Sequence, residues 1–197
     1  MFSALIFDCD GTLIDSMPAH YVAWRATLDA VGIDFPERRF YELAGTPTDR
    51  IIELLANEQS IAVDVNALAI RKEQAYLDGL DRIAPIPSVV NVVREHLGRL
   101  PMAVASGGFR DVVLRQLQQI GLHGVFDAVV CAEDTTRHKP HPDVFLEAAR
   151  RLGVSPSECC VYEDADLGLE AARRAGMAMV DIRTWHTPAP AMVRPRT

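Results

Sequence analysis

Short, uninterrupted apolar runs recur along the chain, and segments with helical periodicity lie between them. The first run is Ala4–Phe7, and similar runs occupy 102–105, 128–131, 159–162 and 178–180. A continuous run, as opposed to an alternating one, is typical of a strand that is buried on both faces of a parallel sheet. The pattern predicts an α/β fold whose core is a Rossmann-like, doubly wound parallel sheet with helices on both faces.

One long interval interrupts this alternation. Between the first strand and the helix near Val89 lie about seventy residues whose periodicity is helical throughout. Further helices are predicted within it at 48–56 and 65–80. Its first apolar positions recur at spacings of four and three residues, as in an amphipathic helix: Met17, Tyr21, Trp24, Leu28 and Val31. The interval is therefore predicted to be a helical subdomain inserted after the first strand.

The later helices are predicted from apolar stripes and from the residues that flank them. Pro142 is expected just inside the start of one helix and Gly153 just past its end, which is where these residues are favoured. A second helix is predicted from a stripe of five residues: Val89, Val92, Val93, Leu97 and Leu100. These elements complete the alternation of strand and helix.

The segments group into three parts. Residues 1–15 and 86–184 are predicted to form the sheet-containing core. Residues 16–85 are predicted to form a helical cap over the carboxyl edge of the sheet. Residues 185–197 contain three prolines, Pro188, Pro190 and Pro195; they are predicted to form an extended or disordered tail.

Composition and charge exclude several classes of protein. Hydrophobic residues make up 49% of the 197 residues and charged residues 24%, which excludes a wholly disordered chain. The formal net charge of −7 argues against binding the nucleic-acid backbone, and the apolar runs are too short to span a membrane. The four cysteines lack metal-site spacing and are interpreted as reduced thiols. We expect a cytoplasmic monomer with no nucleic-acid or membrane partner.

Two carboxylates, Asp8 and Asp10, stand at the end of the first predicted strand. Residues at i and i+2 of an extended strand project to the same side, so both face the crevice above the sheet. Two buried like charges require a cation between them or a proton on one of them. A calcium loop needs glycine at its sixth position, whereas Gly11 is fourth here. A plain Asp-Gly turn would explain one aspartate but not two.

Phosphoryl chemistry accounts for both carboxylates. Asp8 would attack phosphorus to form an aspartyl-phosphate, while Asp10 would protonate the leaving alcohol and later activate water. A Mg²⁺ ion would screen the anionic nucleophile from the anionic phosphate and hold the two in line. The sequence thus predicts a site for a small phosphorylated molecule.

The chain resembles the haloacid dehalogenase superfamily from residue 3 to about residue 183. The first family motif is D-x-D-G-T, present here from Asp8 to Thr12. The second is a hydroxyl residue at a strand end, Ser106, and the third a lysine before proline, Lys139. The fourth is an acidic pair at a strand end, Glu163-Asp164, before a helix that contains glycine. Taken together and in this order, the motifs are far more specific than any one alone.

The resemblance implies a role for each motif. Ser106, with Gly11, Gly107 and the amides of the Gly107-Gly108 turn, would bind the phosphoryl group, and Lys139 would offset its charge. Magnesium would be held by Asp8, by the backbone carbonyl of Asp10 and by Asp164, with Glu163 supporting it through water. Each residue taken singly has a plainer interpretation: a helix N-cap for the serine, a solvated charge for the lysine, an acidic loop for the pair.

The inserted helices resemble the cap of the sugar-phosphatase and β-phosphoglucomutase-like branch. An acid two residues after the nucleophile, Asp10, is typical of the phosphoryl-transfer members and not of the dehalogenases. Ser16, His20 and Trp24 match a hydroxyl residue, a histidine and a tryptophan of the first cap helix in that branch. His20 would contact the substrate or gate Asp10 on cap closure; the alternative is a surface or interdomain histidine.

The cap loop at 44–51 is the main indication of specificity. The mutases carry a lysine and an arginine where this chain has Ala44 and Thr48, which counts against mutase activity. The loop instead resembles that of bacterial hexose-phosphate phosphatases acting on fructose 1-phosphate and 6-phosphogluconate. Arg50, with Thr46 and Thr48, is the predicted substrate contact. The alternative is a helix-surface arginine paired with Glu53 or Asp49.

The resulting prediction is a Mg²⁺-dependent phosphatase that hydrolyses small sugar phosphates through an aspartyl-phosphate. The first alternative is a β-phosphoglucomutase-like isomerase. The second is a non-catalytic binding protein on the same fold. Such a protein should have lost Asp8, Asp10, Lys139 or Asp164, and all of these are present.

Overall fold

The computed structural model describes residues 2–44 and 46–186. These residues divide into two compact units, which we name the core unit (2–15 and 83–186) and the helical unit (16–82). Most of the predicted tail, 187–197, lies outside the described residues. The first part of that tail is described: Trp185 is in a turn, with its amide donating to the Ile182 carbonyl at 2.8 Å.

The strands and helices are numbered in chain order. The strands are β1 (Ala4–Phe7), β2 (Ile14–Asp15), β3 (Ala84–Pro85), β4 (Met102–Ala105), β5 (Ala128–Val130), β6 (Cys159–Glu163) and β7 (Ala178–Asp181). The helices are α1 (Met17–Leu28), α2 (Glu37–Glu42), α3 (Thr48–Gln59), α4 (Val65–Leu77), α5 (Pro87–His96), α6 (Arg110–Gln119), α7 (Asp143–Leu152) and α8 (Asp166–Arg174).

The core unit is built on a parallel sheet of five strands in the order β5-β4-β1-β6-β7. The central strand β1 pairs in parallel with β4 and β6, so that Leu5 lies opposite Met102 on one side and Cys160 on the other. Every residue of β1 is buried, as its continuous apolar run predicts. With helices on both faces, the α/β fold class predicted from the sequence is confirmed.

Helix α7 packs beneath this sheet, and its flanking residues determine its length. Phe145, Ala148 and Ala149 on one face of the helix are buried in the main apolar cluster of the core unit. Gly153 ends the helix in the left-handed conformation with φ 68°, where a residue without Cβ is favoured. Pro142 is the N-cap residue and does not lie inside the helix, so that detail of the prediction was wrong by one position.

Two predicted helices are shorter in the structure. Helix α5 ends at His96, so Leu97, 55% exposed, does not continue the buried stripe. Helix α1 ends at Leu28 and continues to Val31 only as a 3-10 turn closed by Gly32. In both cases apolar spacing extends beyond the last helical hydrogen bond, since spacing alone does not identify where the backbone turns away.

The helical unit has an apolar core of its own. Aromatic side chains from α1, α2 and the segment between them form its centre, with Trp24 and Phe35 meeting edge to face at 5.5 Å between ring centroids. Leucines and isoleucines of α3 and α4 complete the cluster. The unit ends at Arg82, before the predicted boundary at 85, because Ala84–Pro85 pairs antiparallel with Ile14–Asp15 in the core unit.

In the described part of the chain, no helix combines the length and apolar character that crossing a membrane requires.

The cysteines are buried free thiols, as predicted, and burial raises the pKa of each of them. The sulfur atoms therefore act as small apolar groups in the core.

The apolar core of the helical unit yields a stability prediction. Phe35 is fully buried, and Phe35→Ala should lower the free energy of unfolding by about 3–5 kcal/mol, the range for deleting a buried aromatic ring. Ile70→Ala is the control, since Ile70 on α4 is 71% exposed and should change stability by less than about 0.5 kcal/mol. Urea unfolding followed by fluorescence measures both; equal effects would contradict the assignment of this core.

Candidate active site

Asp8 and Asp10 lie where β1 leaves the sheet. The amide of Asp8 still donates to the Tyr162 carbonyl of β6 at 3.0 Å, which continues the strand pairing by one residue. The chain then folds back, because the Cys9 carbonyl accepts hydrogen bonds from the amides of Leu13 and Ile14. This turn places both carboxylates at the carboxyl edge of the sheet, where open α/β sheets bind their ligands.

Lys139 brings a positive charge to this edge from the loop between β5 and α7. Its Nζ donates to Asp8 Oδ1 at 2.6 Å and to Glu163 Oε2 at 2.7 Å. The ammonium group also lies 5.0 Å from the centroid of the Phe145 ring. The predicted lysine therefore contacts the predicted nucleophile, and Glu163 holds it from the other side.

Glu163 uses both carboxylate oxygens within the protein. Oε1 accepts from the amides of Asp164 and Ala165, each at 3.0 Å, while Oε2 accepts from Lys139. The side chain is buried directly against α8: a Cβ added to Gly168 would overlap its carboxylate and lie 2.6 Å from its Cγ. With both oxygens engaged, Glu163 acts on the site by fixing Lys139.

Asp164 is held by the loop that follows β1. Thr12 donates its hydroxyl to Asp164 Oδ1 at 2.9 Å. Gly11 has φ 83°, and a Cβ on it would overlap the carboxylate, with Asp164 Cγ at 2.7 Å. The Gly11 amide donates to the Ile14 carbonyl at 2.8 Å, and the phosphoryl contact expected of Gly11 stays a prediction. Gly11 thus permits the close approach of this loop to Asp164.

The electrostatics of the cluster favour a cation. Ligand atoms of Asp8, Glu163 and Asp164 lie within 4.8 Å of one another, and Lys139 supplies one positive charge against these three carboxylates. Burial, and next the neighbouring Glu163 carboxylate, raise the pKa of Asp8 well above its usual range. The same two causes raise the pKa of Asp164 to about 7.

Lys139 keeps its positive charge in spite of being buried. Although desolvation opposes its charge, Asp8 and Glu163 raise the pKa of Lys139, so it remains an ammonium group. Buried carboxylate oxygens in excess of their positive partners are the donor set that hard divalent ions such as Mg²⁺ prefer. Asp8 and Asp164 suit this role, whereas the predicted contribution of the Asp10 backbone carbonyl stays a prediction.

Ser106 follows β4 at the same edge of the sheet. Its amide donates to the Val130 carbonyl at 3.0 Å, and its Oγ accepts from the Gly108 amide at 3.0 Å. A hydroxyl that accepts a hydrogen bond keeps its proton for donation. The Gly108 amide therefore holds Ser106 in place, and the phosphate contact expected of this turn stays a prediction. A Cβ on Gly107 would meet no atom within 4 Å, so this turn has open space beside it.

The predicted contacts in the helical unit have partners within that unit. Arg50 is on the surface of α3, and its Nη1 lies 2.8 Å from Glu53 Oε2, the alternative considered for it. Thr48 donates its hydroxyl to Glu73 at 3.0 Å, and the Thr46 amide donates to the Leu43 carbonyl. Their roles in substrate recognition stay predictions.

His20 belongs to a partly buried polar group in the same unit. Lys72 Nζ lies 3.0 Å from His20 Nδ1 and 3.1 Å from Glu73 Oε1. The His20 ring stacks on Tyr76 with 3.7 Å between centroids, and Lys72 lies 5.4 Å from the centroid of the Trp24 ring. Lys72 is 4% exposed and was not predicted, because a lysine within a helix is normally a solvated surface residue.

Comparison with known proteins agrees with this geometry. A family model described as haloacid dehalogenase-like hydrolase matches residues 2–176. The chain belongs to the haloacid dehalogenase-like hydrolases.

Individual relatives of this hydrolase cover nearly all of it. Fructose-1-phosphate phosphatase YqaB of Escherichia coli is 43% identical over 92% of this chain and 97% of its own. Validoxylamine A 7'-phosphate phosphatase of Streptomyces hygroscopicus is 28% identical, over 94% and 88%. A crystal structure of β-phosphoglucomutase from Clostridium difficile has a TM-score of 0.82 at 26% identity, covering 92% of this chain and 84% of that one. The predicted enzyme class, a phosphoric monoester hydrolase, agrees with the family and with the first two names.

Some residues of this hydrolase's site were not predicted. Gly168 belongs to the fourth motif, but its role of making room for Glu163 was not predicted. The available signal was a glycine inside a helix, where it costs stability unless packing requires it. Gln116 donates from α6 to Asp10 Oδ1 at 2.6 Å; the signal was an amide within the apolar stripe of a helix. Neither signal identifies the partner, and Asp10 lies 106 positions from Gln116.

Gly168 provides a test of the site's packing. Glycine to alanine inside a helix ordinarily stabilises a protein by roughly 1 kcal/mol. Gly168→Ala should instead destabilise this one by about 1–3 kcal/mol, because the methyl group displaces the Glu163 carboxylate. Gly79→Ala in the turn after α4 is the control for an uncrowded glycine, since the nearest atom to its added Cβ would be at 3.5 Å. Urea unfolding compares them, and a stabilised Gly168→Ala variant would contradict the packing described.

Proposed function

We propose that this hydrolase is a Mg²⁺-dependent phosphatase of small sugar phosphates that works through an aspartyl-phosphate on Asp8. The observation that carries the proposal is the contact of Asp8 with Lys139, beside Asp164 and at the end of the central strand. A carboxylate held by one ammonium group among further carboxylates is suited to meet a phosphoryl group, which brings more negative charge.

In the first step, the Asp8 carboxylate attacks the phosphorus atom and the bond from phosphorus to the ester oxygen breaks. The leaving alkoxide takes a proton from Asp10, so that the alcohol departs neutral. Lys139 offsets the charge that gathers on the phosphoryl oxygens, and the Ser106 hydroxyl donates to one of them. The step ends with an acyl phosphate on Asp8 and an ionised Asp10.

In the second step, Asp10 takes a proton from water as that water attacks the phosphorus of the aspartyl-phosphate. The bond between phosphorus and the Asp8 oxygen breaks, which returns the carboxylate and releases inorganic phosphate. Asp10 is protonated again and ready for the next ester. Asp10 therefore alternates between acid and base, while Asp8 and Lys139 keep their places.

The donor set fits magnesium. Asp8 and Asp164 would hold the ion with the backbone carbonyl of Asp10. Glu163 would support the site indirectly, by fixing Lys139 and the backbone of Asp164. When bound, the ion supplies charge neutralisation between the nucleophile and the phosphate. The raised pKa values of Asp8 and Asp164 support this, since both carboxylates need a cation to be ionised together.

We infer hexose phosphates, such as fructose 1-phosphate or 6-phosphogluconate, as the substrate class. The name of the 43% identical relative supports the first of these. Ala44 and Thr48 carry no charge for a second phosphate, which favours monophosphates. In this proposal Arg50, Thr46 and His20 supply the sugar contacts.

The likeness to a solved β-phosphoglucomutase supports the β-phosphoglucomutase-like alternative. Glucose 1-phosphate with a bisphosphate primer separates the two functions: a phosphatase yields free phosphate, and a mutase yields glucose 6-phosphate.

The remaining inferences concern the protein as a whole. We propose a cytoplasmic monomer whose partner is a small phosphorylated molecule and which binds neither nucleic acid nor membranes. The net charge of −7 and the free thiols support this. For the division of labour, we propose catalysis by residues 1–15 and 86–184 and specificity by the cap at 16–85.

The proposed nucleophile is tested by Asp8→Asn. Loss of the attacking carboxylate should lower Mg²⁺-dependent phosphate release from fructose 1-phosphate at least about a thousandfold. Asp111→Asn makes the same chemical change at an exposed residue of α6 and should retain the parent rate. Near-parental turnover by Asp8→Asn would contradict the assignment of Asp8 as the nucleophile. A parent enzyme that releases no phosphate from any sugar phosphate would contradict the proposed activity.

Metal removal should make stability depend on pH in a defined direction. The folded state raises the pKa of Asp164 to about 7, above the unfolded value of about 3.9. In the metal-free protein, the contribution of Asp164 to stability is therefore complete below about pH 3.9 and is lost as pH rises through about 7. Thermal unfolding in chelator should give a lower Tm at about pH 8 than at about pH 6, and added Mg²⁺ should raise the Tm more at the higher pH.

Asp164→Asn is the control for this experiment. The amide does not titrate, so the variant should show a smaller pH dependence without metal and little gain in Tm from Mg²⁺ at either pH. A Tm of the parent that rises with pH in chelator, or an equal response of parent and variant to Mg²⁺, would contradict the proposed site.

A further inference from the structure

Gln116 is a polar side chain in an apolar position. It lies on α6 between Val113 and Leu117, and all three side chains are buried, Gln116 with none of its surface exposed. Leucine or valine would satisfy this face of the helix, and a buried amide is costly unless its hydrogen-bonding groups are paired. Its partners therefore explain its presence.

Both ends of the Gln116 amide have partners in the loop after β1. Nε2 donates to Asp10 Oδ1 at 2.6 Å, and Oε1 accepts from Cys9 Sγ at 3.4 Å. One side chain thus spans two consecutive residues of the catalytic loop. Because α6 is anchored in the core by Val113 and Leu117, the amide is a fixed point against which Asp10 is held.

The second oxygen of Asp10 lies on the side of the turn that follows β4. A Cβ on Gly108 would lie 3.8 Å from Asp10 Oδ2 and 3.3 Å from Ser106 Oγ. Oδ2 is therefore on the side of the Ser106–Gly108 turn, next to the proposed phosphoryl position, while Oδ1 is held from behind by Gln116. A hydrogen bond to one oxygen restricts the rotation of the carboxylate and so restricts the direction of the other oxygen.

We propose that Gln116 is a positioning residue for the acid and base function of Asp10. It orients Asp10 so that Oδ2 meets the ester oxygen in the first step and water in the second. The inference rests on the proposed function, since it presupposes the role of Asp10. A neutral amide suits the task, because it donates a hydrogen bond to the carboxylate without adding another charge to the acidic cluster.

Leaving groups of different basicity provide the test. An alkyl phosphate such as fructose 1-phosphate needs a proton on the departing oxygen, whereas p-nitrophenolate departs without one. Gln116→Met keeps an unbranched, buried side chain and removes the amide. It should lower kcat/KM for fructose 1-phosphate about tenfold to a hundredfold, part of the typical contribution of a general acid. For p-nitrophenyl phosphate it should lower kcat/KM less than about threefold.

Leu117→Met is the matched control on the next residue of the same helix. It changes core packing without touching Asp10, and should leave kcat/KM for both substrates within about twofold. Thermal unfolding of both variants confirms that they are folded. Equal losses on the two phosphate esters, or a selective loss in Leu117→Met as well, would show that Gln116 is structural and overturn the proposal.

A double variant separates this inference from the proposed function. In an Asp10→Asn background, Gln116→Met should change kcat/KM for p-nitrophenyl phosphate less than about twofold, because the residue it orients is gone. A further tenfold loss of kcat/KM in this background would show that Gln116 does not act through Asp10, and would overturn the inference. If Asp8→Asn abolishes turnover while Gln116→Met is unaffected with fructose 1-phosphate, the inference fails and the phosphatase stands. If Asp8→Asn is active, the phosphatase mechanism itself fails.

Discussion

The close packing of three carboxylates around one ammonium group is the constraint on which the core unit depends. Asp8, Glu163 and Asp164 place ligand atoms within 4.8 Å of one another, and Lys139 balances one of these charges. Such an arrangement is tolerated only if the remaining oxygens find donors. The amides that follow β6 and the hydroxyl of Thr12 supply them, so local backbone geometry and long-range charge pairing support each other.

The same constraint accounts for two glycines. Gly11 lies against Asp164 and Gly168 lies against Glu163, each so closely that a Cβ would overlap the carboxylate. The two glycines allow the loop after β1 to approach Asp164 and α8 to approach Glu163. Glycine here carries no chemical group to the site, yet the spacing of the charged atoms depends on it.

The helical unit also contains a buried ammonium group, that of Lys72. Lys72 is buried among His20, Glu73 and the ring of Trp24, so an ammonium group is again held by a carboxylate and an aromatic face. An aromatic ring stabilises a desolvated cation through its quadrupole. In the core unit Phe145 stands in a similar relation to Lys139. In each unit, aromatic rings therefore contribute to the apolar core and also stabilise a buried lysine.

The sequence by itself determined the elements and the identity of the acids. Apolar periodicity and the D-x-D-G-T motif depend on residues close in the chain, so β1, its neighbouring strands and Asp8 were predictable. Only the tertiary structure decided which atoms meet. Lys139 contacts Asp8 across 131 positions and Gln116 contacts Asp10 across 106, and sheet order and helix packing set those distances. The ends of α1 and α5 and the partners of Lys72 depended likewise on packing, which no local pattern encodes.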